Sequence, residues 1–173
     1  FNFNDGSRLI FNDVRKFGWW KKIKNTKKIE KAFGPEALEI NLLAFKSLLN
    51  QRPKAKIKPL LMDQKFIAGI GNIYSDEILF ASGVHPLRRA KTLSGQEIKK
   101  ILENTQRILK AAIKQGGSST KDYLDAYGKK GNYAKYHQVY QKEGKKCPRC
   151  GTIIQRIKVG GRSAHFCPKC QFI

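Results

Sequence analysis

Ile67-Ala68-Gly69-Ile70-Gly71-Asn72-Ile73-Tyr74-Ser75-Asp76-Glu77 is the stretch that organises this chain. Two glycines supply a tight turn and Asn72 is a residue type that caps helices. Asp76 and Glu77 then fall in the first turns, where carboxylates favour the positive end of the helix dipole. The pattern reads as helix, glycine turn, helix. Backbone amides at such a helix N-terminus can hold an anion, and glycines let a phosphate backbone approach closely. The same residues equally suit a plain helix-turn-helix core turn, and the motif by itself leaves both readings open.

Working upstream, Leu38, Leu42, Phe45, Leu48 and Leu49 recur at helical spacing after Gly34-Pro35-Glu36, which predicts a helix from there to just before Pro53. A basic connector, residues 54–58, leads into a second helix expected to begin near Leu60-Leu61-Met62. Downstream, Ser94-Gly95-Gln96-Glu97 is a capping box. It opens a helix that carries Ile98, Ile101, Leu102, Thr105, Leu109, Ala112 and Ile113 on one face until Gly116-Gly117 stops it. Residues 116–138, rich in Gly, Ser, Lys and Tyr, read as a long loop, the kind of segment that carries function. At the start of the chain, Phe1 and Phe3, then Asp5-Gly6, then Leu9 and Phe11 read as two short strands about a tight turn. One hairpin is marginal alone, so these strands are expected to complete an upstream sheet; beginning without Met, the chain reads as a fragment.

All four cysteines lie near the end, as Cys147-Pro-Arg-Cys150 and Cys167-Pro-Lys-Cys170 with sixteen residues between the pairs. That is the spacing of a four-thiolate zinc site. Four thiolates close the tetrahedron and exclude a water ligand, so the zinc is expected to be structural and to fold a segment too small to fold unaided. No cysteine remains for a disulfide framework, which points to a reducing compartment. Between the knuckles, residues 152–159 read as a strand, Gly160-Gly161 as a turn and residues 162–166 as the returning strand. Arg162 then projects from the hairpin tip, as a solvated surface arginine or as one that holds a ligand.

The 173 residues fit one ordinary domain or two small ones, and 35 Lys and Arg against 13 Asp and Glu leave a formal net charge of +22. Such an imbalance calls for a polyanion. No apolar run of about 18 residues could span a bilayer, and no signal-peptide pattern is present. The basic residues are interleaved with Phe17, Trp19, Trp20, Tyr74, Tyr123, Tyr133 and Tyr136, as on a folded nucleic-acid-binding face. In Asp13-Val14-Arg15-Lys16-Phe17-Gly18, an extended backbone would point Arg15 and Phe17 the same way. The arginine could then meet a base while the ring wedges into the stack; ordinary strand packing of Phe17 beneath a surface Arg15 is the other reading.

In chain order, Asp13–Gly18, Phe33–Glu36, Ile57–Gln64, Ile67–Glu77, Gln115–Ser118 and the cysteine knuckles together resemble the formamidopyrimidine-DNA glycosylase family of bacterial repair enzymes. The resemblance implies a mainly α fold with small β elements. Residues 1–33 would be the last strands of an N-terminal β-sandwich and a linker, 34–140 a helix-two-turns-helix DNA-binding domain, and 141–173 a four-cysteine zinc finger. It further implies base excision of oxidised purines (8-oxoguanine, formamidopyrimidines) from double-stranded DNA, then cleavage of the abasic site, by a monomer in the bacterial cytoplasm. The family's proline nucleophile, its neighbouring glutamate and an assisting lysine are not in this sequence, so the chain as given is expected to bind DNA weakly and excise nothing.

Matched by position, Arg15 and Phe17 fill the gap left by the flipped base, with Arg15 facing the orphaned cytosine. Lys58 and Asn72 match phosphate-gripping positions, and the resemblance implies that role for them. Arg162 matches the zinc-hairpin arginine, which implies that it would hold the phosphates flanking the lesion and serve the final elimination. Residues 116–136 match the segment that folds over the extruded base. Val14 and Lys16 stand where many members carry Pro and Arg. Two alternatives are an endonuclease VIII-type enzyme for oxidised pyrimidines and a non-catalytic zinc-ribbon DNA-binding protein; Arg15-Lys16-Phe17 and the long loop favour the purine branch.

Overall fold

The computed structural model describes residues 1–13, 16–119 and 128–173. They form two compact units, Phe1–Glu30 and Lys31–Ile173. In the first, the expected hairpin is reduced to one antiparallel bridge, Asn2↔Arg8, with the Phe3 amide on the Ser7 carbonyl at 2.9 Å and Gly6 at φ +81° in the turn. Phe1 packs edge-on against Trp20 at 4.5 Å between ring centroids. One turn of helix, α1 (Lys27–Glu30), closes the unit.

The second unit contains α2 (Leu42–Gln51), α3 (Ile57–Met62), α4 (Asn72–Ser82), α5 (Gly95–Lys114) and the antiparallel pair β1 (Gln155–Val159) and β2 (Arg162–Phe166). The mainly helical class with a small C-terminal sheet is thus as the sequence implies. The helices share one apolar core in which Ile57, Leu61, Ile67, Ile70, Ile78 and Ile101 lose all solvent exposure. Each such side chain contributes roughly 1.5–3 kcal/mol of burial free energy. α5 begins as its capping box dictates: Ser94 Oγ accepts the Glu97 amide at 3.2 Å and Glu97 Oε2 accepts the Ser94 amide at 2.7 Å.

Three helix starts differ from the sequence reading. α2 opens only at Leu42, because Asn41 Oδ1 caps the Ala44 amide at 2.9 Å. The backbone before it pairs with the glycine turn instead: the Ala68 amide donates to Pro35 at 2.9 Å and the Ala37 amide to Ala68 at 3.1 Å. α3 opens earlier than expected, at Ile57, whose amide finds the Arg88 carbonyl at 2.8 Å. Pro59 sits in its first turn, where a missing N–H costs nothing. α4 opens at Asn72 with Gly71 in the cap position, so Asn72 is the first helical residue and caps nothing.

Candidate nucleic-acid interface and metal centre

The four cysteine sulfurs come together with all their Sγ atoms within 4.8 Å of one another. Cys150 lies 3.4 Å from both Cys167 and Cys170, and Cys147 lies 3.9 Å from Cys170. Tetrahedral zinc at about 2.3 Å from each sulfur requires S···S edges of about 3.8 Å, whereas a disulfide requires about 2.05 Å. The donor set therefore fits one structural zinc. Its electrostatics agree. Hydrogen bonds from Thr152 hold the Cys150 thiol down at about 6, while burial and the adjoining sulfurs push Cys170 up to about 12. Four thiols this close cannot all ionise without a cation among them.

The finger is fastened to α4 by polar pins. Gln171 Oε1 accepts the Cys167 amide at 2.9 Å and its Nε2 donates to the Val84 carbonyl, just past the helix end, at 2.9 Å. The Arg149 guanidinium stacks on Phe80 at 4.4 Å and donates to the Ala81 carbonyl at 3.1 Å. Glu77 uses both carboxylate oxygens to accept the amides of Gln138, Val139 and Tyr140, at 2.8, 3.0 and 2.8 Å. Burial raises the Glu77 pKa against the pull of those amides. Asp76, its neighbour, accepts the His165 amide at 3.0 Å and lies 2.9 Å from the His165 ring. Apart from the Gln171–Cys167 bond, which spans four residues, none of these pins is legible locally, because each joins residues more than sixty positions apart.

At the other end of α4, Gln64 shapes the glycine turn: its Oε1 accepts the Gly69 amide at 2.9 Å and its Nε2 donates to the Ile70 carbonyl at 2.8 Å. Gly69, at φ +92°, needs the freedom of a residue without Cβ. No side chain caps α4, a Cβ at Gly71 would meet nothing within 4 Å, and Asn72 Oδ1 is buried without a hydrogen-bond partner among the described residues. This is a helix N-terminus left open for an acceptor or anion. Asn72 and the exposed Arg162 line one polar groove of about 360 Å³, with Tyr140, Arg156 and Ser163. Arg162 reaches it from the tip of the β1–β2 hairpin, whose two-residue Gly160-Gly161 turn has both φ values positive, +57° and +79°, as such a turn demands.

Lys58 sits elsewhere than its expected phosphate-gripping place. It is wholly buried, with Nζ donating to Asp76 Oδ1 at 2.5 Å and to the Ser163 carbonyl at 2.6 Å. Burial lowers its pKa, opposed by the Asp76 charge. Phe17 is 86% exposed, so it does not pack beneath a neighbour. Nor is its backbone the extended segment expected: Lys16 has φ +58° and its amide turns back to the Asp13 carbonyl at 3.1 Å. Arg15 lies outside the described residues, as do 120–127 of the long loop. The ends of that loop are drawn together. The Tyr133 amide donates to Gly117 at 3.0 Å and the Gly131 amide to Ser119 Oγ at 2.8 Å. Ser118 Oγ lies 3.0 Å from the Tyr74 hydroxyl and 2.9 Å from His137 Nε2. An apolar pocket of about 630 Å³, lined by Leu38, Ile73, Tyr74, Leu109 and Ile113, opens beneath this neck.

A helix-two-turns-helix domain joined to a four-cysteine zinc finger is the class these elements define. Residues 33–123 match the family model of the formamidopyrimidine-DNA glycosylase H2TH domain, and residues 144–171 match that of the zinc finger found in FPG and IleRS. The chain belongs to the formamidopyrimidine-DNA glycosylase family. It is 44% identical over 177 residues to the formamidopyrimidine-DNA glycosylase of Streptococcus pneumoniae (TIGR4), covering 99% of this chain and 64% of that protein. To the enzyme of the same name from Mycoplasma mobile it is 46% identical over 175 residues, with the same coverage of 99% and 64%. The chain thus spans about two thirds of the length of these curated relatives. Lactococcus lactis Fpg in complex with DNA containing an abasic site superposes with a TM-score of 0.85 at 42% identity, over 93% of this chain and 61% of that one. MutM in complex with DNA containing carbocyclic 8-oxo-G gives 0.83 at 41%, over 93% and 60%. No helix among the described residues is long and apolar enough to cross a membrane.

Proposed function

We propose that this chain is the DNA-gripping part of a base-excision glycosylase that removes oxidised purines and cleaves the resulting abasic site. The observation that carries the reading is the meeting of Asn72 and Arg162 in one groove at the uncapped start of α4. A duplex phosphate there would accept from the helix amides and Arg162, the pattern by which DNA-binding proteins fix register. The three-part division belongs to this reading: 34–140 holds DNA through α4, 141–173 presents Arg162 on a metal-pinned hairpin, and 1–33 delivers Arg15 and Phe17 from the end of a preceding sandwich. An exposed Phe17 ring on a turn suits a wedge that fills the space of a flipped base. The loop over residues 116–138 covers that base, Arg162 assists the elimination, and a finger that needs reduced thiols suits the cytoplasm.

The decisive experiment gives the complete gene product duplexes carrying 8-oxoguanine opposite cytosine or thymine glycol. Cleavage of the purine lesion is expected; cleavage of thymine glycol alone would assign the endonuclease VIII-type activity instead. Arg162→Ala is expected to weaken abasic-site binding, and log affinity should fall by about 0.9 per phosphate contact per log unit of salt.

A further inference from the structure

An ammonium is costly to bury unless it is paired and hydrogen-bonded, and a buried ion pair adds little net stability over apolar residues of the same size. What such a pair can supply is a fixed geometry. Lys58 and Asp76 are 0% and 1% exposed. The Lys58 ammonium donates to the carbonyl of Ser163, the residue after Arg162, while Asp76 takes the amide and ring of His165. One ion pair on α3 and α4 therefore grips β2 at two points. A third contact adjoins it: a Cβ on Gly160 would lie 3.0 Å from Pro59 Cγ and 3.3 Å from its Cβ, so the hairpin turn rests against the proline ring. The finger's apolar cluster, with Ile154, Cys147 and Cys167, lies at the strand ends remote from the tip. Nothing in that cluster fixes where the tip points.

We propose that Lys58 and Asp76, with Pro59 as a seat, are positioning residues that hold the hairpin tip so that Arg162 faces the groove shared with Asn72. The proposal rests on the DNA-binding reading of that groove only for its consequence, not for the strut itself. The competing role, direct contact between Lys58 and phosphate, conflicts with an ammonium that has no solvent exposure.

A double-mutant cycle decides between them. The complete gene product, as wild type, Lys58→Met, Arg162→Ala and the double variant, is titrated over several salt concentrations with a labelled duplex carrying a tetrahydrofuran abasic analogue. Positioning requires Lys58→Met to weaken binding by about tenfold when Arg162 is present, the scale of one charge-assisted hydrogen bond. With Arg162 already removed, the further loss should be under about twofold, since both changes remove the same contact. Equal losses in both backgrounds, with the salt slope shallower by about 0.9, would overturn the proposal in favour of direct contact. Should Lys58→Met fold poorly, Gly160→Ala displaces the turn from Pro59 with the ion pair intact and should reproduce the Arg162-dependent loss at unchanged zinc content. Amide exchange at residues 160–163 without DNA separates the two readings. Faster exchange in Lys58→Met supports the strut even if the wild type ignores DNA, an outcome that would sink only the DNA reading; unchanged exchange overturns the strut whatever the DNA does.

Discussion

In the helical part, Ile57, Leu61, Ile67, Ile70, Ile78 and Ile101 form a continuous core with no solvent exposure. In the finger, the corresponding cluster is Val139, Ile154, two cysteine sulfurs and a phenylalanine, Phe80, that belongs to α4. So small a cluster cannot hold a fold against chain entropy, and the finger relies on metal and on polar pins. Asp76 and Glu77, adjacent on α4, divide that work: the first holds the hairpin and the second holds the segment entering the first knuckle. The contrast teaches that one part of the unit is stabilised by area removed from water, and the other by chemistry that metal, redox state and pH can reverse.

Removing the metal should break this contrast open most widely. Structural zinc contributes on the order of 10 kcal/mol to small four-ligand modules. Chelation under reducing conditions, or Cys167→Ser, is expected to abolish protection of the β1–β2 amides while the helical circular dichroism of α2 to α5 persists. Simultaneous loss of both signals would show that the helical part depends on the finger, contrary to that division of labour. The converse break is Ile101→Ala, which leaves a cavity in the fully buried core and should cost about 2–5 kcal/mol in chemical denaturation. Zinc stoichiometry should stay at one, and loss of zinc would show the two parts to be inseparable.

Glu77→Gln sharpens the comparison at the junction. It keeps the shape but replaces one of the two accepting oxygens with a donating NH2, so at least one of the three amides loses its acceptor, at a cost of about 1–3 kcal/mol. Burial raises the folded pKa of Glu77 above its ordinary 4.5. A raised carboxyl favours folding while protonated, so its contribution is whole below 4.5 and declines as pH climbs through the folded value. Stability of the wild type should therefore slope downward across that window relative to Glu77→Gln. Parallel pH profiles for the two proteins would remove burial as the cause.

What could be read from the sequence divides along the same line. The capping box and the cysteine knuckles were legible because both partners lie within a few residues, so spacing is geometry. The helix expected from Pro35 was not, since periodicity cannot reveal that Ala68 pairs with Pro35 and Ala37, or that Asn41 caps α2. Asn72 has the chemistry of a cap, yet Gly71 takes that place and frees the Asn72 side chain for the groove. Lys58, in a run of lysines, reads as surface, and only its pairing with Asp76 and Ser163 explains its burial. Asp76 and Glu77 suggested dipole partners; their real acceptor roles depend on segments that tertiary folding brings back to α4.

The smallest expected effect tests the helical side of the contrast at its edge. Ser94→Ala removes one half of the α5 capping box, a change worth about 1 kcal/mol. The loss should fall at the low end because Glu97 keeps another partner: Arg88 donates to its two oxygens at 3.1 and 3.2 Å. Burial pushes the Glu97 carboxyl upward, but the hydrogen bonds from Ser94 and Arg88 outweigh it and leave the pKa below the usual value. A lowered carboxyl contributes stability above 4.5 that is lost as pH falls through the folded value, the opposite sign to Glu77. Ser94→Ala should therefore show a shallower loss toward acid than the wild type, with zinc content unchanged. If instead its loss at neutral pH exceeds that of Glu77→Gln, local capping outweighs the buried clasp, and the two parts of the unit are held by more similar physics than their cores suggest.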